Sequence, residues 1–383
     1  MMHSKLPDVG TTIFTHMSAL ATRHKALNLS QGFPDFDAPL PLREALARRV
    51  MEGDNQYAPM AGVMLLREQI AIQLARHHGV QCNPDSEITV VPGATAGIFC
   101  AIMASVHPGD EVIVFDPSYD SYEPSINLAG GRAVHIPLTP DQFAIDWERV
   151  VSALSPRTRM IIINSPHNPC GSTLSSTDLA ELARLAEQHD LLVLSDEVYE
   201  HLVYDGAKHL SVLQSSILRA RSFVTFSFGK TFSVTGWKTG YCVAPPALTT
   251  LLRQVHQFVS FVAVTPVQLA LADFMDSHPD YPSTLADFYQ HKRDLFCGAL
   301  KGSLFTLTPC AGTYFQLLDY RAVSEQADTV LCEQWTTEHG LASIPISVFY
   351  QQPPLQHYLR FCFAKRDEVL LQAAEILRNM TYE

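Results

Sequence analysis

The chain has 383 residues, 47% of them hydrophobic and 17% charged, with a formal net charge of −12. That is enough chain for a substantial core and for two domains. The acidic balance disfavours a nucleic-acid binder, which needs clustered Lys and Arg, and no apolar stretch is long enough to span a bilayer.

In chain order, the start Met1-Met2-His3-Ser4-Lys5-Leu6-Pro7 lacks the apolar stretch of a secretion signal, so a cytoplasmic location is expected. Leu27-Asn28-Leu29 is too isolated to fold alone. Ile88 to Val91, Glu111 to Phe115, Met160 to Asn164, Leu191 to Asp196 and Ser222 to Ser227 read as strands. Their near-continuous apolar character is that of strands covered on both faces. Ala94 to Val106 and Thr177 to His189 have helical spacing, the second opened by a capping box from Ser175 and Asp178. Thr239 to Ala244 predicts another strand. Thr265-Pro266-Val267-Gln268 predicts a helix start with Thr265 as cap.

After about Phe274 the texture changes. Leu285 to Lys301 is amphipathic, and short strands are expected at Phe305 to Leu307, Tyr314 to Leu318 and Tyr358 to Phe363. Ala327 to Glu338 and Arg366 to Asn379 fit helices. The pattern is an α/β layered domain with a largely parallel sheet, followed by a smaller α+β domain. We expect residues 1–42 to form an arm and part of the small domain, 43–274 the large domain, and 275–383 the rest of the small one.

Three positions suggest chemistry. Lys230 follows the apolar run Phe223 to Phe226, with Ser227 three residues before it, and Asp196 ends another strand. A Schiff-base lysine, a phosphate contact and an acid opposite a pyridinium nitrogen make a set that points to pyridoxal phosphate. Lys230 alone reads equally well as a surface lysine, although Phe226, Phe228 and Phe232 beside it argue against a solvated face. Asp196 alone can be a helix cap. Pro92-Gly93-Ala94-Thr95 lies at a strand-to-helix turn, where free N–H groups bind phosphate. The chain contains neither G-x-G-x-x-G nor G-x-x-x-x-G-K-[ST]. None of the eight cysteines forms a C-x-x-C pair, and no zinc spacing occurs among the histidines, so no metal is expected. Cys100, Cys242 and Cys362 lie in apolar runs and read as buried thiols of a reducing compartment.

Further motifs complete the pattern: Leu29-Ser30-Gln31-Gly32-Phe33-Pro34-Asp35-Phe36, Gln56-Tyr57-Ala58-Pro59, Asp116-Pro117-Ser118-Tyr119-Asp120-Ser121-Tyr122, Pro166-His167-Asn168-Pro169, Asp196-Glu197-Val198-Tyr199, Thr235-Gly236-Trp237 and Arg360-Phe361-Cys362-Phe363. In this order the chain resembles the class I/II aminotransferases of PLP fold type I, over nearly its whole length. Within them it is similar to the branch holding methionine and kynurenine aminotransferases. The resemblance implies a large domain with a mostly parallel seven-stranded sheet between helices, and a homodimer with shared sites.

It also implies residue roles. Lys230 would hold the cofactor as a Schiff base, Asp196 would pair with the ring nitrogen, and Asn168 and Tyr199 would hydrogen-bond the ring oxygen. Gly93, Ala94, Thr95, Ser227 and Lys238 would hold the phosphate. Many relatives have Arg where Lys238 stands, which replaces a bidentate contact by a point charge. Tyr119 would stack on the ring, and Tyr57 would reach the phosphate of the other subunit. Arg360 would anchor the substrate α-carboxylate, with Gly32 and Asn168 beside it. Phe14, Phe33, Tyr57 and Tyr119 suggest an apolar pocket, and no second arginine is assignable to an acidic side chain. The expected substrates are therefore a hydrophobic, thioether or aromatic amino acid, methionine favoured, and a 2-oxo acid. A C–S β-lyase uses nearly the same residues, and a non-enzymatic regulatory module on the same fold is a remoter alternative.

Overall fold

The computed structural model describes residues 4–7, 9–140, 142–354 and 357–380. Met1 to His3 of the start read above lie outside them.

Seven strands form the central sheet, in the order Ile88–Val91, Gly240–Val243, Ser222–Ser227, Leu192–Asp196, Thr158–Asn164, Glu111–Asp116 and Arg132–Pro137. Gly240–Val243 runs antiparallel to both neighbours, and the other pairings are parallel. The apolar runs of the central strands have their cause in side-chain alternation. Ile113, Ile161, Ile163, Val193 and Val224 face one core, whereas Val112, Val114, Met160, Ile162, Leu194 and Phe223 face the other. With helices on both faces there is no wet side to carry polar residues. Arg132–Pro137 is the strand the sequence reading misses. It is one of the two edge strands, only Ile136 of its six residues is buried, and it lacks an apolar run.

The helix Ser176–Gln188 has the capping box expected of Ser175 and Asp178. The helix Thr265–Ser277 begins one residue earlier than expected, with Val264 at the cap position and no side-chain cap bond. The Thr265 hydroxyl is engaged elsewhere, donating to the Gln56 carbonyl and accepting from the Ala58 N–H at 3.1 Å.

Past these helices, Phe315–Asp319, Tyr358–Cys362 and Ile344–Pro345 form a three-stranded antiparallel sheet. Leu285–Ala299, Asp328–Glu338 and Asp367–Arg378 are its helices. The strand expected at Phe305 to Leu307 is reduced to one bridge, Thr306 to Asp319. Leu27–Asn28 pairs in parallel with Leu341–Ala342, and the helix Ile13–His24 packs on Asp328–Glu338.

What the sheet does for function follows from direction. The strands ending at Val91, Asn164, Asp196 and Ser227 all deliver their last residues to one edge. Antiparallel Gly240–Val243 starts there, with Gly240 opposite both Val91 and Ser227. Open α/β sheets bind ligands along such an edge.

Candidate active site

A cavity of about 150 Å³ opens at that edge. Gly93, Ala94, Thr95, Tyr119, Asn168, Asp196, Tyr199, Ser227, Lys230 and Lys238 all line it. At one end the helix Ala94–Ser105 starts without a side-chain cap. Its first N–H groups are therefore free for an anion. Gly93 has φ 84°, and a Cβ there would lie 3.1 Å from the Lys238 ammonium. Glycine is thus required both by backbone conformation and by the close approach of the cation. Lys238 itself takes a left-handed turn, φ 48°, between Thr235–Trp237 and the strand at Gly240.

At the other end lies Asp196, 4% exposed. Its Oδ2 accepts from the Tyr122 hydroxyl at 2.7 Å, and its carbonyl accepts from Asn164 Nδ2 at 2.8 Å. Burial pushes its pKa up to about 6, against the opposing effects of the Tyr122 hydrogen bond and the Lys230 charge. Asn164 also accepts from the Asn168 N–H at 2.8 Å, so adjacent strand ends fix Asn168.

Lys230 sits between these ends. Withdrawal from water lowers its pKa to about 8, and the nearby Lys238 and Arg360 charges act in the same direction. A far larger fraction of its amine is neutral near pH 7 than in an exposed lysine. Nζ donates to the Gly32 carbonyl at 3.0 Å and to the Tyr314 hydroxyl at 2.8 Å. The rings of Tyr314 and Tyr199 meet edge to face at 5.1 Å.

Arg360 is 1% exposed. Nη1 donates to Asn168 Oδ1 at 2.9 Å and Nη2 to the Ser30 carbonyl at 2.8 Å, whereas buried Nε has no partner among the described residues. The guanidinium is held between the rings of Phe315, at 4.0 Å, and Phe14, at 5.2 Å. Burial lowers its pKa. A buried cation with a donor left over suits an incoming carboxylate.

Two expected residues stand apart from the cavity. Phe33 is 44% exposed, with its ring beneath the Lys365 ammonium at 4.9 Å. Tyr57 is 84% exposed, packed edge to face on Phe261 at 5.4 Å beside a separate surface groove. Sequence reasoning passed over Tyr122, Asn164 and Tyr314. Tyr122 lies between Ser121 and Glu123 and Tyr314 beside Phe315, and nothing at either position separates a functional hydroxyl from an aromatic ring that packs. Asn164 closes an apolar strand as Asp196 does, and that shared position was the available signal. Among the described residues, no group of three or more His, Cys, Asp or Glu is arranged to hold a metal ion. The donors suit a cofactor with a phosphate at one end, a basic ring nitrogen at the other and an aldehyde between them.

A family model described as aminotransferase class I and II matches residues 24–377. The chain is 51% identical over 377 residues to a methionine aminotransferase of Escherichia coli (strain K12), covering 98% of each. It is 34% identical over 391 residues to kynurenine–oxoglutarate transaminase 1 of Homo sapiens, covering 93% of this chain and 92% of that one. A solved Escherichia coli structure, described as having a methionine aminotransferase function, superposes with a TM-score of 0.97 at 50% identity, covering 99% of this chain and 100% of that one.

Proposed function

The chain belongs to the class I and II aminotransferases, and on that premise we propose that it transfers the amino group of a hydrophobic, thioether or aromatic L-amino acid, methionine foremost, to a 2-oxo acid with pyridoxal phosphate as cofactor. One arrangement carries the reading. A lysine with a lowered pKa, a buried carboxylate and an uncapped helix start share one cavity, with a buried arginine hydrogen-bonded to cavity-lining Asn168.

The N–H groups at Ala94 and Thr95, with Gly93, Ser227 and Lys238, would hold the phosphate. Asp196 would pair with the ring nitrogen, Asn168 and Tyr199 would hydrogen-bond the ring oxygen, and Tyr119 would stack on the ring. When bound, the cofactor supplies an aldehyde for amines and a ring that draws electrons from the substrate Cα. Arg360 grips the α-carboxylate, and Gly32 lets the backbone approach it. Nζ of Lys230 takes the α-proton as general base and returns it as general acid. Tyr57 belongs to the partner's site in a homodimer, which accounts for its exposure in one chain. The eight free cysteines agree with a cytoplasmic location.

Methionine is favoured because no second arginine besides Arg360 is assignable to an acidic side chain. The 51% identity to a methionine aminotransferase supports the same choice. Purified protein, assayed with methionine, kynurenine and aspartate against several 2-oxo acids, should prefer methionine and lose transfer in Lys230→Ala. Full activity in that variant refutes the mechanism, and a preference for aspartate refutes the substrate class. Pyruvate released from cystathionine without a 2-oxo acid acceptor would identify a β-lyase instead. For the domains, we read 1–42 with 275–383 as one unit against 43–274, as the pairing of Leu27–Asn28 with Leu341–Ala342 supports. Crystals with and without a bound 2-oxo acid should show that unit moving whole, and a shift inside it would count against the division.

A further inference from the structure

We propose that Tyr314 is a catalytic residue of this site, its hydroxyl holding the Lys230 amine in both of that amine's protonation states. The inference deepens the reading of Lys230 as general base and rests on it.

Three groups meet here, and the Tyr199 hydroxyl also lies within reach of that of Tyr314. Nζ of Lys230 lies 2.8 Å from the Tyr314 hydroxyl and 3.0 Å from the Gly32 carbonyl, and the hydroxyl donates to that same carbonyl. The three differ in what they can offer. An ammonium only donates, a carbonyl only accepts, and a hydroxyl does both. With Lys230 charged, Nζ donates to both oxygens and the tyrosine proton goes to the second lone pair of Gly32. With Lys230 neutral, the tyrosine proton can turn to the nitrogen lone pair while the amine still donates to Gly32. A base that takes and returns a proton passes through both states, and Tyr314 serves each without moving.

The surroundings hold this set in place. Tyr314 is 0% exposed, and its ring packs against Phe315 at 5.0 Å and Tyr289 at 5.8 Å. Burial pushes its own pKa well above 10, so it stays a hydroxyl. A Cβ at Gly32 would meet the Phe315 ring at 2.8 Å, so only glycine brings this carbonyl so close. Two residues earlier, the Ser30 carbonyl accepts from Arg360, so one short segment holds both the lysine and the arginine.

The test is Tyr314→Phe, which keeps the ring and removes the hydroxyl. The kcat for methionine should fall by ~100-fold, the scale of a positioned acid–base group, with KM changed less than about threefold. A second measurement reads the amine directly. In the full chain freed of pyridoxal phosphate, cyanate labelling of Lys230, followed by peptide mass, should accelerate by about fivefold or more. Loss of the hydroxyl uncovers the lone pair and removes an acceptor that favours the ammonium, and both act in the same direction. Tyr320→Phe, whose hydroxyl donates to the Gln326 carbonyl instead, should leave both values unchanged. A kcat within about threefold of wild type, or a labelling rate within about twofold, overturns the assignment. If Lys230→Ala is inactive while Tyr314→Phe behaves as wild type, only this inference fails. If Lys230→Ala remains active, the reading beneath it fails as well.

Discussion

The Tyr122 hydroxyl donates to Oδ2 of Asp196 across 2.7 Å, and both residues are buried. This bond favours the carboxylate and holds down a pKa that burial nonetheless lifts to about 6. In Tyr122→Phe the carboxylate loses its donor, its pKa climbs further, and less of it is charged at neutral pH. A protonated ring nitrogen then meets a weaker partner. A hydrogen bond to a charged group contributes ~1.5–3 kcal/mol, so the Kd for pyridoxal phosphate should rise by ~10-fold or more. Fluorescence titration of the full chain measures this, and an unchanged Kd would show that the hydroxyl only packs.

Lys230 makes a pH prediction. Condensation with an aldehyde needs the neutral amine, and a pKa lowered from 10.5 to about 8 makes half the amine neutral near that pH. The rate at which cofactor-free protein takes up pyridoxal phosphate, followed by absorbance, should therefore rise with pH and level off above about 8. An inflection still near the ordinary lysine value would mean that the amine is not withdrawn from water as the cavity implies.

Arg360 offers a third test. Its fork is already oriented by Asn168 and Ser30, and Nε has no partner in the described structure. Arg360→Lys keeps the charge and loses the fork, so kcat/KM for methionine should fall by ~100-fold, mostly through KM. Steady-state kinetics decide it, and a loss under about threefold would remove the arginine from carboxylate binding.

These tests bear on residues that differ in how visible they are in the sequence. The central strands could be read because their two faces are both covered, which leaves unbroken apolar runs such as Met160 to Ile163. The same evenness hides direction, since Gly240–Val243 is buried along its whole length and reads alike whether parallel or antiparallel. The helix Met64–His78 escaped notice because it buries Arg67, Gln73 and His78 along with its leucines, blurring the apolar stripe. In the cavity, Lys230 and Asp196 are legible because a charged group after an apolar run is costly without a purpose. Tyr122 and Tyr314 are not, because an aromatic ring in a core needs no further explanation and only coordinates reveal which group its hydroxyl meets.

Directly after Tyr199, Glu200 forms a buried ion pair with His78 at 2.5 Å, both side chains less than a tenth exposed. His77, His201, His209, Glu197 and Tyr241 surround the pair. Burial opposes charge on both partners, yet the facing charges prevail, for Glu200 that of His201 ahead of its bond to His78. His78 is raised from 6.5, and Glu200 is lowered from 4.5 to about 2. The signs set a window. The histidine contribution is complete below 6.5 and is lost as pH rises through its raised folded value. The glutamate contribution is complete above 4.5 and is lost as pH falls through about 2. Together they stabilise most between 4.5 and 6.5. Removing one partner of a buried pair costs ~3–5 kcal/mol, so Glu200→Gln should melt several degrees below wild type at about pH 5.5. The gap should narrow as pH is raised toward about 9, because the His78 contribution is lost as pH rises through its raised folded value. Scanning fluorimetry at the two pH values suffices, and an equal gap at both would mean that Glu200 acts through its other partners, the Tyr241 hydroxyl among them.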